Sequence, residues 1–284
     1  MEHFNHTSKT YLFKLSIPIF FSNIAIPFVG LVDTGLMGHL SSEKFLAAIS
    51  IATSVITMIF WSFGFLRMGT VGLIAQSLGK KDWNEITLIF VRNLILALFI
   101  GFFLILLKSP ILLLIEHFFK TSQETQFLIK NYISIRIYSA PAELVLYVLT
   151  GLYLGLQKTK TVSLAISIFC IGNIILSSIF VIHLDLEIIG AAAGTLISAY
   201  ITVILFLFIS YLQLKSKFYG SLTSIKIFNV KKIFRLFNIN IDIFIRTIFL
   251  TFSFLWFTYQ SAKLGENYLA INTILMQFIM LASF

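Results

Sequence analysis

Asp33 sits in the run Pro27-Phe-Val-Gly-Leu-Val-Asp33-Thr-Gly-Leu-Met-Gly38, with no other charged residue in that stretch. A carboxylate in such apolar company must be paired, protonated or turned toward water, because an ionised oxygen is poorly solvated by hydrocarbon. Two chemistries fit it: a proton-binding group whose affinity burial brings toward the working pH range, or a residue near a helix end that only reaches the headgroups. Pro18 and Pro27 share the segment. Each removes one backbone donor and disturbs the preceding turn, so they serve either a bend coupled to the acid or ordinary packing. Further along, Glu143 follows Pro141, and its nearest charged residue in sequence is Arg136, seven positions back. That spacing allows a structural ion pair or a second proton site. Asn173, Ser177, Ser178, Thr195 and Ser198 are small polar residues in apolar runs, which more often hydrogen-bond helix to helix than bind a ligand. Asp242 and Arg246, four apart, read as a local pair.

The elements that must position these residues are membrane helices. Of 284 residues 58% are apolar and 12% charged, and the mean hydropathy is +0.95; a soluble domain carries about twice that charge fraction. A soluble enzyme is excluded, and the net charge of +9 bears on placement against a bilayer rather than on nucleic acid. A helix needs about 20 residues to cross the hydrocarbon core. Eight runs qualify, at roughly residues 12–38, 45–67, 87–107, 128–150, 162–182, 188–212, 239–262 and 268 to the end. The second continues apolar to Gly79, too long for one crossing, so from Arg67 it projects beyond the membrane or bends at Gly64, Gly69 or Gly72. The runs lack the alternation of a barrel strand.

Loop charges set the orientation. Lys9, Lys14, Lys80, Lys81, Lys158, Lys160, Lys215, Lys217, Lys226, Lys231, Lys232 and Arg235 fall on one side; Lys44, Lys108, Lys120, Lys130 and Lys263 fall on the other with most of the loop acids. The positive-inside rule puts the N-terminus and the loop 213–237 in the cytoplasm. The single cysteine, Cys170, excludes an intramolecular disulfide and a multi-cysteine metal site. No nucleotide loop, paired-histidine motif or nucleophile elbow occurs, so neither cofactor nor metal is expected. His39, His117 and His183 read as interfacial residues.

A repeat is also present: Leu40 to Ser50 aligns, with one gap, on Leu264 to Asn272. A second copy that starts after six spans in the same orientation is the parallel-repeat plan of many secondary transporters. A full copy needs about four more spans than the eight here, so the expectation is a truncated member of a twelve-span design.

Several stretches together are similar to the multidrug and toxic compound extrusion (MATE) transporters, in their DinF-like branch: Leu15-Ser-Ile-Pro18, Gly30 to Gly38, Phe65-Leu-Arg-Met-Gly-Thr-Val-Gly-Leu-Ile-Ala-Gln76, Gly151-Leu-Tyr-Leu-Gly155 and Leu269 to Leu275. The resemblance implies an all-α membrane fold of two six-helix lobes around a cavity that opens alternately to either side. Residues 1–215 would be the first lobe, 216–237 a cytoplasmic inter-lobe loop and 238–284 the start of the second. It implies a non-enzymatic antiporter in the cytoplasmic (inner) membrane that exports organic cations or other amphiphiles in exchange for H+, with Na+ as the lesser candidate. Asp33 matches the first-helix acid that takes the coupling ion, Pro18 the first-helix bend, and Asn173 and Thr195 polar members of the first-lobe cavity. Ser177 departs from the pattern, since many members carry a second acid there; this favours a proton cycle on Asp33, assisted by Glu143. The alternatives are a lipid-linked oligosaccharide flippase, which calls for more cavity cations than Arg92 and Arg136, and a non-transporting membrane scaffold.

Overall fold

The computed structural model describes residue 17, residues 29–40, 42–215 and 230–283; within the last segment the side chains of 230–240, 242, 277 and 280–283 are outside the description. Pro18 and Pro27, the expected bend, also lie outside the described residues, as does the Asp242 side chain of the Asp242–Arg246 pair. The described helices are α1 (Val29–Gly38), α2 (Glu43–Ser62), α3 (Phe65–Gly79), α4 (Trp83–Leu106), α5 (Lys108–Phe118), α6 (Gln123–Arg136), α7 (Ala140–Gly155), α8 (Thr159–Ser178), α9 (Glu187–Leu214), α10 (Val230–Leu264) and α11 (Glu266–Ser283). No strand occurs among the described residues, and six stretches are long and apolar enough to cross a membrane.

Local chemistry sets the ends. Ser42, Asp82 and Ser122 cap α2, α4 and α6, accepting backbone N–H bonds from Lys44, Glu85 and Thr125 at 3.3, 3.0 and 3.3 Å, with an acid in each first turn. Oxygen acceptors and negative charge both suit a helix N-terminus. Gly265, at φ +118°, turns α10 into α11, a backbone conformation open to glycine.

Two long runs are interrupted. The second breaks between α2 and α3 at Phe63–Gly64, so Gly64 is the bend and Gly69 and Gly72 lie within α3. The fourth, expected as one helix, is two: a single 3-10 turn, Ile137–Ser139, separates α6 from α7. Pro141 explains it, because its ring nitrogen cannot donate to the Ile137 carbonyl. The stretch around Ser109-Pro110, between the third and fourth expected spans, begins the short helix α5; Pro110 occupies its first turn, where no intrahelical donor is lost. α10 begins at Val230 rather than near residue 239.

The most extensive packing joins α8 to α9 and α3 to α7. Glycines allow both. A Cβ at Gly151 would meet Thr70 Cβ at 2.7 Å and one at Gly155 would meet Ile74 Cβ at 2.7 Å, while a Cβ at Gly194 would meet Ser177 N at 2.7 Å. Small residues at such contacts let membrane helices approach backbone to backbone. α2 packs on α6 and also on α10 and α11, which brings the start of the second repeat against the first lobe.

Candidate functional site

α1 carries Asp33 to the wall of a cavity of about 310 Å³ shared by the first lobe and by α10 and α11. Asp33 is 8% exposed. Its carboxylate lies beside the Ser177 hydroxyl and within reach of the Arg136 charge. The Asp33 Oδ1 atom has no hydrogen-bond partner among the described residues.

Behind Asp33, α8 and α9 hold a buried polar cluster. Asn173 Nδ2 donates to Thr195 Oγ1 at 2.7 Å, and Thr195 Oγ1 donates to the Ala191 carbonyl at 3.0 Å. The Asn173 Oδ1 and Ser177 Oγ atoms lack partners among the described residues. Asn173 and Ser177, one helical turn apart, face α9 together because Gly194 leaves room for Ser177. Thr195 lines the cavity itself.

At the end of α6, Arg136 is buried and pairs with Glu143. Ser139 ties the pair together: it receives a hydrogen bond from Arg136, and its Oγ faces Glu143 Oε1 at 3.0 Å and the Arg136 carbonyl at 2.8 Å. The Arg136 guanidinium also stands 5.5 Å from the centre of the Phe60 ring, a favourable cation–π distance. Of the two roles left open for Glu143, the geometry supplies the ion pair, and Glu143 remains on the cavity wall.

The rest of the wall is aromatic and hydroxylic. Phe60, Trp61, Phe169, Phe254 and Phe257 alternate with Thr53, Ser54, Thr258, Ser261 and Thr273, and Ser54 and Thr258 join the first lobe to α10 through a 2.9 Å hydrogen bond. Sequence reasoning missed Tyr132 and the hydroxyls of α10. Their signal was weak: Thr251 and Thr258 stand seven apart, two turns along one face, yet single threonines in apolar helices are common.

At one end of the molecule the first lobe and α11 meet in a second polar contact. Glu266 accepts hydrogen bonds from Ser122 Oγ at 2.8 Å and Thr125 Oγ1 at 2.7 Å, and Lys44 pairs with Glu124 alongside. Burial raises the Glu266 pKa, but these hydrogen bonds outweigh it and hold the carboxyl below its ordinary range.

A family model described as MatE matches residues 18–179. The chain is 33% identical over 280 residues to the DNA damage-inducible protein F of Escherichia coli (strain K12), covering 95% of this chain and 59% of that protein. It is 24% identical over 258 residues to the multidrug export protein MepA of Staphylococcus aureus (strain NCTC 8325 / PS 47), covering 89% of this chain and 56% of that protein. The chain thus spans a little under three-fifths of the length of these relatives. Among solved structures, the MATE multidrug transporter DinF-BH superposes with a TM-score of 0.87 at 17% identity, over 98% of this chain and 62% of that one, a likeness of fold. With more than half of the chain matched by the family model and the helical architecture shared with solved members, the chain belongs to the MatE family of multidrug and toxic compound extrusion transporters.

Proposed function

We propose that the protein carrying this chain is a cytoplasmic-membrane antiporter that exports organic cations or other amphiphiles in exchange for H+, with Asp33 as the proton site. The observation that supports it is the Asp33 carboxylate itself: buried, with one oxygen unpartnered among the described residues, on the wall of the shared cavity. A carboxylate so placed gains or loses its charge at a cost the surroundings set, which makes proton binding a change in cavity electrostatics. Aromatic rings and methionines on the same wall suit a flat cation with an apolar body. In this cycle a proton taken from outside neutralises Asp33, the first helix with Pro18 and Pro27 bends, the cavity contracts and substrate leaves; proton release to the cytoplasm resets it. Residues 1–215 act as one lobe, and α10 and α11 open the second across the cavity, with the N-terminus in the cytoplasm.

A flippase of anionic lipid-linked sugars is less well supported, because Arg136 is neutralised by Glu143 and Arg92 stands 3.5 Å from Glu85. Na+ coupling draws support from one observation: Asp33 Oδ1, Asn173 Oδ1 and Ser177 Oγ are three buried oxygens without partners among the described residues, and oxygen donors are what a hard cation takes. Everted vesicles containing the full-length protein test both. Dye accumulation driven by a pH gradient, abolished in Asp33→Asn with membrane insertion intact, is the expected result. Normal proton-driven transport in Asp33→Asn overturns the role of Asp33, and transport that follows a Na+ gradient at fixed pH replaces H+ with Na+.

A further inference from the structure

A second cavity, of about 320 Å³, lies between α3, α7 and α8, lined by Arg67, Val71, Thr150, Leu154, Val162 and Ile166. Its walls are apolar apart from Thr150 and Arg67. Arg67 is half-buried, and among the described residues it has neither an ion pair nor a side-chain hydrogen bond. Arginine is always charged, and a cation in a membrane protein without an internal counter-charge marks a place where an external one belongs.

Depth identifies that counter-charge. Gly155, the last residue of α7, packs against Ile74 of α3, and Arg67 is seven residues before Ile74, about 10 Å at 1.5 Å per residue, a depth from which an arginine side chain extends to the headgroup layer. Val162 and Ile166 stand within two turns of the start of α8, and Leu154 within one turn of the end of α7, so the cavity mouth is at the same level. This is also the side where Lys80, Lys81, Lys158 and Lys160 gather, the side that the loop charges place in the cytoplasm, where leaflets are anionic. Met68, which also lines the cavity, and Leu164, between Val162 and Ile166 on α8, are 42% and 51% exposed, an apolar flank on which acyl chains can lie.

We propose that this cavity is a headgroup site for an anionic phospholipid, its phosphate accepting hydrogen bonds from the Arg67 guanidinium and its chains running along Met68 and Leu164. An interhelical basic pocket at headgroup level is the form such sites take, and the planar guanidinium fork matches a phosphate better than an ammonium does. The proposal is independent of the transport reading, since it involves neither Asp33 nor the shared cavity.

Purified full-length protein in a neutral detergent tests it. Native mass spectrometry reads retention of phosphatidylglycerol, phosphatidylcholine and, in a separate arm, inorganic phosphate. Phosphatidylglycerol is expected to bind at least tenfold better than phosphatidylcholine, with Arg67→Gln removing the preference, Arg67→Lys keeping part of it, and Lys160→Gln, on the exposed rim, keeping it in full. An unchanged preference in Arg67→Gln overturns the site. Inorganic phosphate that binds through Arg67 as well as the lipid does overturns the lipid assignment in favour of a free-anion site. Should Arg67→Gln fail to fold, equal lipid retention by Arg67→Lys and Lys160→Gln, with no preference for the anionic lipid in either, also overturns it.

Discussion

Replacing Gly194 by alanine tests how the polar cluster behind Asp33 is held. The new Cβ would stand 2.6 Å from Ser177 Oγ, 2.7 Å from Ser177 N and 2.9 Å from Ser177 Cα. Two of these three atoms are backbone, so rotamer changes do not relieve the contact; α8 and α9 must separate by roughly 0.7 Å to restore an ordinary contact distance. Overpacking of this kind costs about 1–3 kcal/mol. At about 2–4 °C per kcal/mol for a chain of this size, the melting temperature in mild detergent falls by about 5 °C. The separation also stretches the 2.7 Å Asn173–Thr195 hydrogen bond, because Thr195 follows Gly194 directly, so transport falls further than stability alone accounts for. Gly172→Ala is the control: its Cβ meets nothing nearer than Ser198 Oγ at 3.5 Å, and the gain in helix propensity leaves the melt unchanged or slightly raised. Tryptophan fluorescence from Trp61, Trp83 and Trp256 follows both melts. A Gly194→Ala variant that melts with the wild type and transports normally would mean that Gly194 does not set the separation of α8 and α9.

Two further outcomes follow from Glu143 and Glu266. Glu143→Gln leaves Arg136 buried with Ser139 and Phe60 but without its paired carboxylate, and is expected to cost about 3–5 kcal/mol, most of it recovered in Glu143→Gln combined with Arg136→Met; a single variant as heat-stable as the wild type rules this out. Glu266, held below its ordinary pKa by Ser122 and Thr125, stabilises the α6–α11 contact wherever it is ionised. That contribution is full above the ordinary value near 4.5 and is lost as pH falls through the lower folded value. Hydrogen exchange in the first turn of α11, corrected for intrinsic rate, should therefore be slow at pH 7, fast near pH 3, and fast at both in Glu266→Gln; pH-independent protection in the wild type contradicts it.

The helical membrane architecture was legible because a run of twenty apolar residues has few other uses. The breaks were legible only in part. Gly64 was one of three glycines that could bend the second run, and sequence alone does not rank them; α7 and α10 decide, since Phe244 packs edge-on to Phe65 at 5.7 Å just beyond the break. Pro141 carried a clear signal for the interruption after Arg136, yet it is in the first turn of α7 and the hydropathy runs straight across it. For the site, Asp33 stood out as a lone acid in an apolar run, its coupling role and the cavity roles of Asn173 and Thr195 came from the resemblance, and the structure gathers the three where α1, α8 and α9 converge. The Arg136–Glu143 pairing could not be decided from a spacing of seven, because the 3-10 turn between them changes which faces meet. The repeat has a physical counterpart: Glu43 and Glu266 each open a helix, and each is followed by buried residues, Ala47 and Ala48 in one, Leu269 and Ala270 in the other.

The interruptions at Phe63–Gly64 and Ile137–Ser139 lie at a common depth, since Phe60, just above the first, covers Arg136, just above the second. The first lobe is therefore built in two storeys. The upper, α2 with α6, faces the cavity; the lower, α3 with α7, is clamped by Gly151 and Gly155 against Thr70 and Ile74. Arg136 is the rivet between the floors, fixed to Glu143 below and in the field of Asp33 above. In the proposed cycle a proton on Asp33 changes the load on that rivet without touching the clamped floor beneath it, which leaves the upper storey as the part that tilts.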